Sequence, residues 1–161
     1  MTNHSENETM MKWTDLSNEI LFSRIMLDRN SLGWLFKDLL PGEYMILVMT
    51  GKMEKAYLRS LEYLTKYDMP SISKLAGRLK NKGLVIWTHD GDGSEGTYLM
   101  LTEAGETRLQ EMEEITAGYY ARVIDQFGEE KIREFTSMAR RIADLLKEEV
   151  SEQEVSEDDE S

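Results

Sequence analysis

The chain has 161 residues, which is the usual size of one compact domain, and 40% of them are hydrophobic. It contains no cysteine, which excludes disulfides, thiol catalysis and cysteine-ligated metal sites and fits a reducing cytoplasm. No apolar run approaches the roughly 18–20 residues that span a bilayer, and the first residues lack the pattern of a secretion signal. We therefore expect a cytoplasmic protein with no membrane partner.

The net charge of −12 argues at first against a nucleic-acid partner, because Lys and Arg supply most of the affinity for phosphate. Its distribution points the other way. Residues 52–82 hold eight basic and three acidic residues, a net charge of +5, whereas residues 102–161 hold seven basic and eighteen acidic ones. A basic segment on an acidic body is what a DNA-contacting face would produce, although a solvated helix surface gives the same count.

Polar residues dominate both ends of the chain, so we expect residues 1–12 and the acidic tail, 149–161, to be disordered. The tail either keeps the protein soluble or folds back on the basic segment and competes with DNA. Between the ends the apolar period is helical, and Pro41-Gly42 ends the first predicted helix, which spans 13–40. The apolar stripe of that helix consists of Leu21, Ile25, Leu32, Phe36 and Leu39.

The middle of the chain predicts three helices followed by a β-hairpin. The segment EYMILVM is a short apolar helix, and two further helices carry leucines at helical spacing, the second of them between Pro70 and Gly83. The segments LVIWT and TYLML then flank the turn-forming stretch HDGDGSEG. This order is that of a winged helix-turn-helix, which we place at 41–101 in a mainly α chain with a small β-hairpin wing.

Two more helices are predicted over 102–148, with an interruption at Gly128. These two helices and the first one are long, and one small core cannot cover all their apolar stripes. A second copy of the chain is the natural cover. We therefore expect a homodimer held by dimerisation helices at 13–40 and 102–148.

In a winged helix-turn-helix, the last helix before the hairpin enters the major groove of DNA. Here that helix is PSISKLAGRLKNKG, and its inward face consists of Ile72, Leu75 and Leu79. Its outward residues are Ser73, Lys74, Gly77 and Asn81, with Ser71 and Arg78 on the flanks. Because glycine inside a helix costs about 0.5–1 kcal/mol, Gly77 is either a tolerated weak spot or a point of close approach to DNA. An ordinary amphipathic surface helix is the alternative.

Residues 69–85 read MPSISKLAGRLKNKGLV, and after the predicted hairpin residues 101–109 read LTEAGETRL. This order of segments resembles the MarR family of transcriptional regulators. The matching positions are Ser71, Ser73, Leu75, Arg78, Leu79, Lys82, Gly83, Leu84 and Val85, then Leu101, Thr102 and Gly105. The resemblance implies a homodimer that binds a pseudo-palindromic operator in double-stranded DNA. It also implies regulation by a small ligand bound between the dimer and DNA-binding regions.

By matching position, the resemblance implies major-groove contacts from Ser71, Ser73, Lys74 and Arg78. We add Lys55, Arg59 and Lys66 as phosphate contacts because of their charge and their location beside the preceding helix.

The wing departs from the family, whose members commonly carry Asp-Arg-Arg where this chain has Gly93, Ser94 and Glu95. The polar residues left for DNA contacts from the wing are Thr88, His89, Ser94 and Thr97. Asp90 and Asp92 add negative charge to this wing, which already lacks the two arginines. We therefore expect DNA binding that is weaker, more salt-sensitive or more ligand-dependent than is usual in the family.

Trp34 and Tyr44 flank the break after the first helix, and we assign them to a candidate pocket for a small apolar or aromatic effector. Core or dimer contacts are the commoner role of such residues. We expect no enzymatic activity, cofactor or metal, because the two histidines form no pair and residues 90–95 do not fit the frame of a calcium loop. The alternative function is a winged-helix dimer that has lost DNA binding and acts as a protein-interaction module.

Overall fold

The computed structural model describes residues 3–31, 37–91 and 96–158. Its elements, in chain order, are α1 (Asn3–Ser31), α2 (Pro41–Gly51), β1 (Ala56–Tyr57), α3 (Leu58–Thr65), α4 (Met69–Asn81), β2 (Val85–His89), β3 (Thr97–Leu101), α5 (Glu103–Phe127) and α6 (Glu129–Asp158). The predicted fold class, mainly α with a small β-hairpin wing, is confirmed. In these three ranges no helix has the length and apolar character needed to cross a bilayer.

The core of the winged region lies between α2, α3, α4 and the sheet. Its large, completely buried apolar side chains are Ile46, Leu47, Leu61, Ile72, Leu79, Leu99 and Met112. Burying one side chain of this kind stabilises the fold by about 1.5–3 kcal/mol, so this cluster fixes the position of α4 against its neighbours. The predicted inward face of α4 is correct for Ile72 and Leu79, while Leu75 is half-buried.

The sheet has three antiparallel strands in the order β1-β3-β2, one more than the predicted hairpin. Strand β1 is two residues long and pairs Ala56 with Leu99. Such a short strand has no alternating pattern, and for that reason the sequence did not predict it. Strands β2 and β3 pair from Val85 with Leu101 to His89 with Thr97, so the hairpin has the predicted position.

The long helices differ from their predicted boundaries. Helix α1 begins at Asn3 and α6 continues to Asp158, although disorder was expected through residue 12 and from residue 149. Neither extension contains Pro or Gly, and the second is rich in Glu, so no residue in them breaks the helix despite the lack of apolar residues. The predicted helix to residue 40 is also wrong, because residues 37–39 form a bend.

Contacts divide the chain into two units, Met1–Glu113 and Glu114–Ser161, and each carries exposed apolar residues. The large apolar side chains of α1 that are at least half exposed are Met10, Met11, Trp13, Ile20, Leu21, Phe22, Met26 and Leu27. Those of the second unit are Phe127, Phe135, Met138, Leu145, Leu146 and Val150. Extended apolar surfaces are uncommon on monomeric proteins and mark places where another surface packs.

A network around Thr102 joins the start of α5 to the turn after α4. The Thr102 hydroxyl donates to the carbonyl oxygen of Gly83 at 2.6 Å and accepts from the Gly105 N–H at 3.0 Å, which caps α5. A Cβ at residue 105 would lie 1.9 Å from the carbonyl oxygen of Leu84. Only glycine allows this approach, which explains the glycine in the Leu-Thr-x-x-Gly segment.

Substitution of Gly105 by Ala should therefore destabilise the protein by about 1–3 kcal/mol, because the new methyl group clashes with backbone atoms of Leu84 and not with a flexible side chain. The measurement is urea unfolding followed by circular dichroism. Gly118→Ala is the matched control, since no atom lies within 4 Å of a Cβ at that position of α5. It should leave stability unchanged or raise it by up to about 1 kcal/mol. Equal unfolding midpoints for Gly105→Ala and the wild type would contradict the clash.

Candidate nucleic-acid interface

Helix α4 is held at its start by a side-chain cap. The carboxylate of Asp68 accepts from the Ser71 N–H at 2.8 Å, and Pro70 occupies the first turn, where a missing N–H costs nothing. The helix buries Ile72, Ala76 and Leu79, so the opposite side faces away from the core. Cap and core contacts together orient that opposite side.

On the outward side of α4 the structure places the predicted residues in different environments. Lys74 and Asn81 are exposed, Ser73 and Gly77 are half-buried, and Ser71, also half-buried, uses its N–H in the cap. A Cβ at Gly77 would meet only one neighbour, the Trp87 ring at 3.9 Å, which is an ordinary contact distance. Packing inside the chain therefore does not require glycine at this position.

Arg78 is bound to a buried carboxylate. Its Nε donates to Glu43 Oε1 at 2.9 Å, and Lys82 Nζ lies 2.9 Å from Glu43 Oε2. The Glu43 side chain is completely buried, whereas those of Arg78 and Lys82 are 46% and 32% exposed. Glu43 also accepts from the Leu40 N–H at 2.6 Å, and Lys82 donates in addition to the backbone carbonyl of Asp38.

The environment of Glu43 keeps it ionised. Burial alone would raise the pKa of its carboxyl group, but hydrogen bonds from Lys82, the Leu40 N–H and Arg78 outweigh burial and hold this pKa below its ordinary value of 4.5. Sequence reasoning missed Glu43. The available signal was a Glu in the first turn of a helix, where such a side chain caps the preceding N–H groups.

A second charged cluster lies at the base of the wing. Asp90 accepts from Lys55 Nζ at 2.8 Å and from the Tyr57 hydroxyl at 2.7 Å, and its N–H donates to the carbonyl oxygen of Gly96 at 2.9 Å. Lys55 Nζ also lies 4.8 Å from the centre of the Tyr98 ring. Hydrogen bonds from Lys55 and Tyr57 lower the pKa of Asp90. The charge of Lys55, a predicted phosphate contact, is therefore paired within the chain.

The remaining predicted contacts have no common environment. Arg59 is exposed on α3, and Lys66 adopts a left-handed conformation (φ 63°) with its Nζ 4.9 Å from the centre of the Tyr63 ring. In the wing, His89 is exposed, whereas Thr88 and Thr97 are half-buried. Ser94 lies outside the described residues.

The structure describes only one of the two predicted effector residues. Tyr44 is half-buried against the core, and Trp34 lies outside the described residues. A shallow depression of about 510 Å³ lies along the first turns of α5, away from Tyr44. Its lining residues are Leu84, Glu103, Ala104, Thr107, Arg108 and Glu111. Within the described residues no group of three or more His, Asp or Glu side chains is placed to hold a metal ion.

No protein-family model matches the chain, and no curated protein matches it significantly. Several solved structures are similar to the chain. A MarR family regulator from Neisseria meningitidis has a TM-score of 0.66 and 17% identity, with 88% of this chain and 98% of that chain covered. A MarR family regulator from a Rhodococcus species has a TM-score of 0.63 and 20% identity, with coverages of 80% and 94%.

The adhesin competence repressor of Streptococcus pyogenes is also similar, with a TM-score of 0.56 and 17% identity over 82% of this chain and 96% of that chain. At these identities the similarity concerns the fold. The chain therefore has the winged-helix fold of MarR family transcriptional regulators.

The lowered pKa of Glu43 makes stability depend on pH. A carboxylate with a lowered pKa stabilises the folded state at pH values above its ordinary pKa, which is 4.5 here. This stabilisation is lost as the pH falls through the lower pKa that the group has in the folded state. Glu43→Gln should be less stable than the wild type by about 1–3 kcal/mol at neutral pH, because hydrogen bonds to a charged group are lost while both cations stay partly hydrated. Below pH 4.5 this difference should shrink.

Urea unfolding at a series of pH values measures this difference. Glu134→Gln, an exposed residue of α6, is the control and should stay within about 0.5 kcal/mol of the wild type throughout. A difference between Glu43→Gln and the wild type that does not change with pH would show that Glu43 contributes packing and not charge.

Proposed function

We propose that this chain is a MarR-type transcriptional regulator that binds a pseudo-palindromic duplex DNA operator as a homodimer. The observation that carries the proposal is the exposed side of α4, which bears Lys74 and Asn81 and no large apolar side chain. On the opposite side of this helix, Ile72 and Leu79 are buried in the core and hold it in place. An α-helix fits the major groove of B-DNA, and hydroxyl, amide and cationic groups bind phosphates and base edges. Such a protein acts in the cytoplasm and has no enzymatic activity.

Within this proposal, Lys74, Ser73 and Arg78 contact DNA from α4, while Arg59 and Lys66 supply phosphate contacts beside it. Lys55 contributes less, because Asp90 offsets its charge at 2.8 Å. The wing has few cations, so affinity depends on α4 more than in a regulator with arginines at the wing tip. A small apolar or aromatic effector, bound near Tyr44, would modulate the affinity.

Dimerisation in this proposal uses the apolar surfaces of α1, α5 and α6. Their exposed side chains, among them Phe22 and Leu27 on α1 and Phe127 on α5, would leave water when a second copy packs against them. Two copies would present two α4 helices to successive half-sites of the operator.

The alternative is a dimeric protein-interaction module without DNA binding. The pairing of Lys55 with Asp90 and the net charge of −12 favour it, because both reduce attraction to phosphate. Complete absence of binding to any duplex, even at low salt, is its expected signature.

Lys74→Ala should weaken binding to duplex DNA from the protein's own promoter region. It should also reduce the slope of log affinity against log salt by about 0.9, the value for one phosphate contact. Fluorescence anisotropy titration measures both quantities. Arg78→Ala should also weaken binding, whereas Lys147→Ala, which removes an exposed cation from α6, should not. Equal affinities for Lys74→Ala and the wild type would argue against DNA contact through α4.

The wild type should elute as a particle of twice 18.7 kDa in size-exclusion chromatography with light scattering. Phe22→Glu should shift it towards the monomer, because a charge in an apolar interface loses its water. Tyr63→Glu is the matched control, since Tyr63 is also an exposed aromatic residue, 74% exposed on α3, outside the proposed interface. A monomeric wild type, or a dimer unaffected by Phe22→Glu, would contradict the proposed interface.

A further inference from the structure

The Glu43 carboxylate divides its hydrogen bonds unevenly between its two oxygen atoms. Oε1 accepts from Arg78 Nε at 2.9 Å, whereas Oε2 accepts from the Leu40 N–H at 2.6 Å and from Lys82 Nζ at 2.9 Å. Arg78 therefore has one oxygen to itself, and the carboxylate is held on its other side by two independent donors.

Binding through Nε leaves the outer part of the Arg78 guanidinium available. The group carries five N–H donors, and only the one on Nε is used by Glu43, so the four on the two terminal nitrogens remain. The side chain is 46% exposed although its partner is completely buried. Glu43 thus holds the guanidinium at its inner nitrogen and leaves its outer edge towards solvent.

A guanidinium that reads guanine donates two parallel N–H bonds to O6 and N7, and this needs a fixed plane. An unrestrained arginine loses conformational entropy when it adopts that plane, whereas a restrained one has lost it before binding. Arg78 stands on the flank of α4 beside its outward side, and Glu43 supplies the restraint from α2.

We infer that Glu43 is a positioning residue for Arg78, which it orients for bidentate recognition of one guanine in each half-site, so that a buried acid in α2 sets base specificity on α4. The inference rests on the proposed DNA-binding function. Glu43 itself does not touch DNA, because its side chain has no exposed surface.

Glu43→Gln separates this role from simple packing. The amide has the shape of the carboxylate but only one oxygen, and that oxygen is best used where two donors converge, at Leu40 and Lys82. The NH₂ group then faces Arg78 Nε. Because both groups are hydrogen-bond donors, no hydrogen bond forms between them and the restraint on Arg78 is lost. Lys82→Met is the matched control, because it removes the other cation from Glu43 and leaves the Arg78 contact and the Leu40 contact in place.

The experiment is a selection from a randomised duplex library with the full-length wild type, Arg78→Ala, Glu43→Gln and Lys82→Met, each verified as folded by circular dichroism at the assay temperature. Arg78→Ala identifies the base position that Arg78 reads. Each protein is then titrated by anisotropy with the selected duplex and with one in which G·C at that position is replaced by A·T. The wild type should discriminate between the two by about tenfold or more.

The inference predicts that Glu43→Gln loses this discrimination as Arg78→Ala does, while Lys82→Met keeps it even where its overall affinity falls. Full discrimination by Glu43→Gln would overturn the inference and leave the regulator assignment intact. Equal loss in Lys82→Met would also overturn it, since a general loosening of α4 would then be the cause, and so would an Arg78→Ala variant with unchanged base preference. If the wild type enriches no sequence, the proposed function itself fails, and the inference fails with it.

Discussion

The buried carboxylate of Glu43 adds a polar link between α2 and α4, which the apolar core also joins. Moving an ion from water into a protein interior costs several kcal/mol, so a buried charge persists only where donors replace its water. Here the donors come from the backbone before α2, from Arg78 in the last turn of α4 and from Lys82 directly after that helix. Lys82 adds a bond to the carbonyl of Asp38. The entry to α2 and the end of α4 are thus one polar unit beside an apolar core.

Much of the fold could be predicted because its helices and strands have clear periods and clear ends. Pro70 and Gly83 bound α4, and the buried Ile72 and Leu79 follow the helical spacing of the sequence. Strand β1 could not be predicted because two residues carry no period. The ends of α1 and α6 could not be predicted because their polar composition favours disorder, whereas the absence of Pro and Gly permits a helix.

The sequence shows which cations could form the candidate site, but it does not show how their charges are paired. Lys55, Lys74 and Arg78 look alike in the sequence, since each is a cation in the basic segment. In the structure Lys55 is paired with Asp90 and Arg78 with Glu43, in both cases across 35 residues of chain, whereas Lys74 is exposed. A charge count cannot detect such long-range partners. The net charge of +5 over residues 52–82 therefore overstates the charge available to phosphate.

The closure of the hairpin at Asp90 has a consequence for protein engineering. The backbone bond from Asp90 to Gly96 and the side-chain bonds to Lys55 and Tyr57 anchor the hairpin before the residues between them begin. The β2–β3 register ends at His89 and Thr97. Exposed loop tips with small and polar residues tolerate insertions best. The sequence between these anchors, Gly-Asp-Gly-Ser-Glu, has this composition, so a reporter peptide or a basic loop inserted there should leave the pairing of β2 with β3 intact.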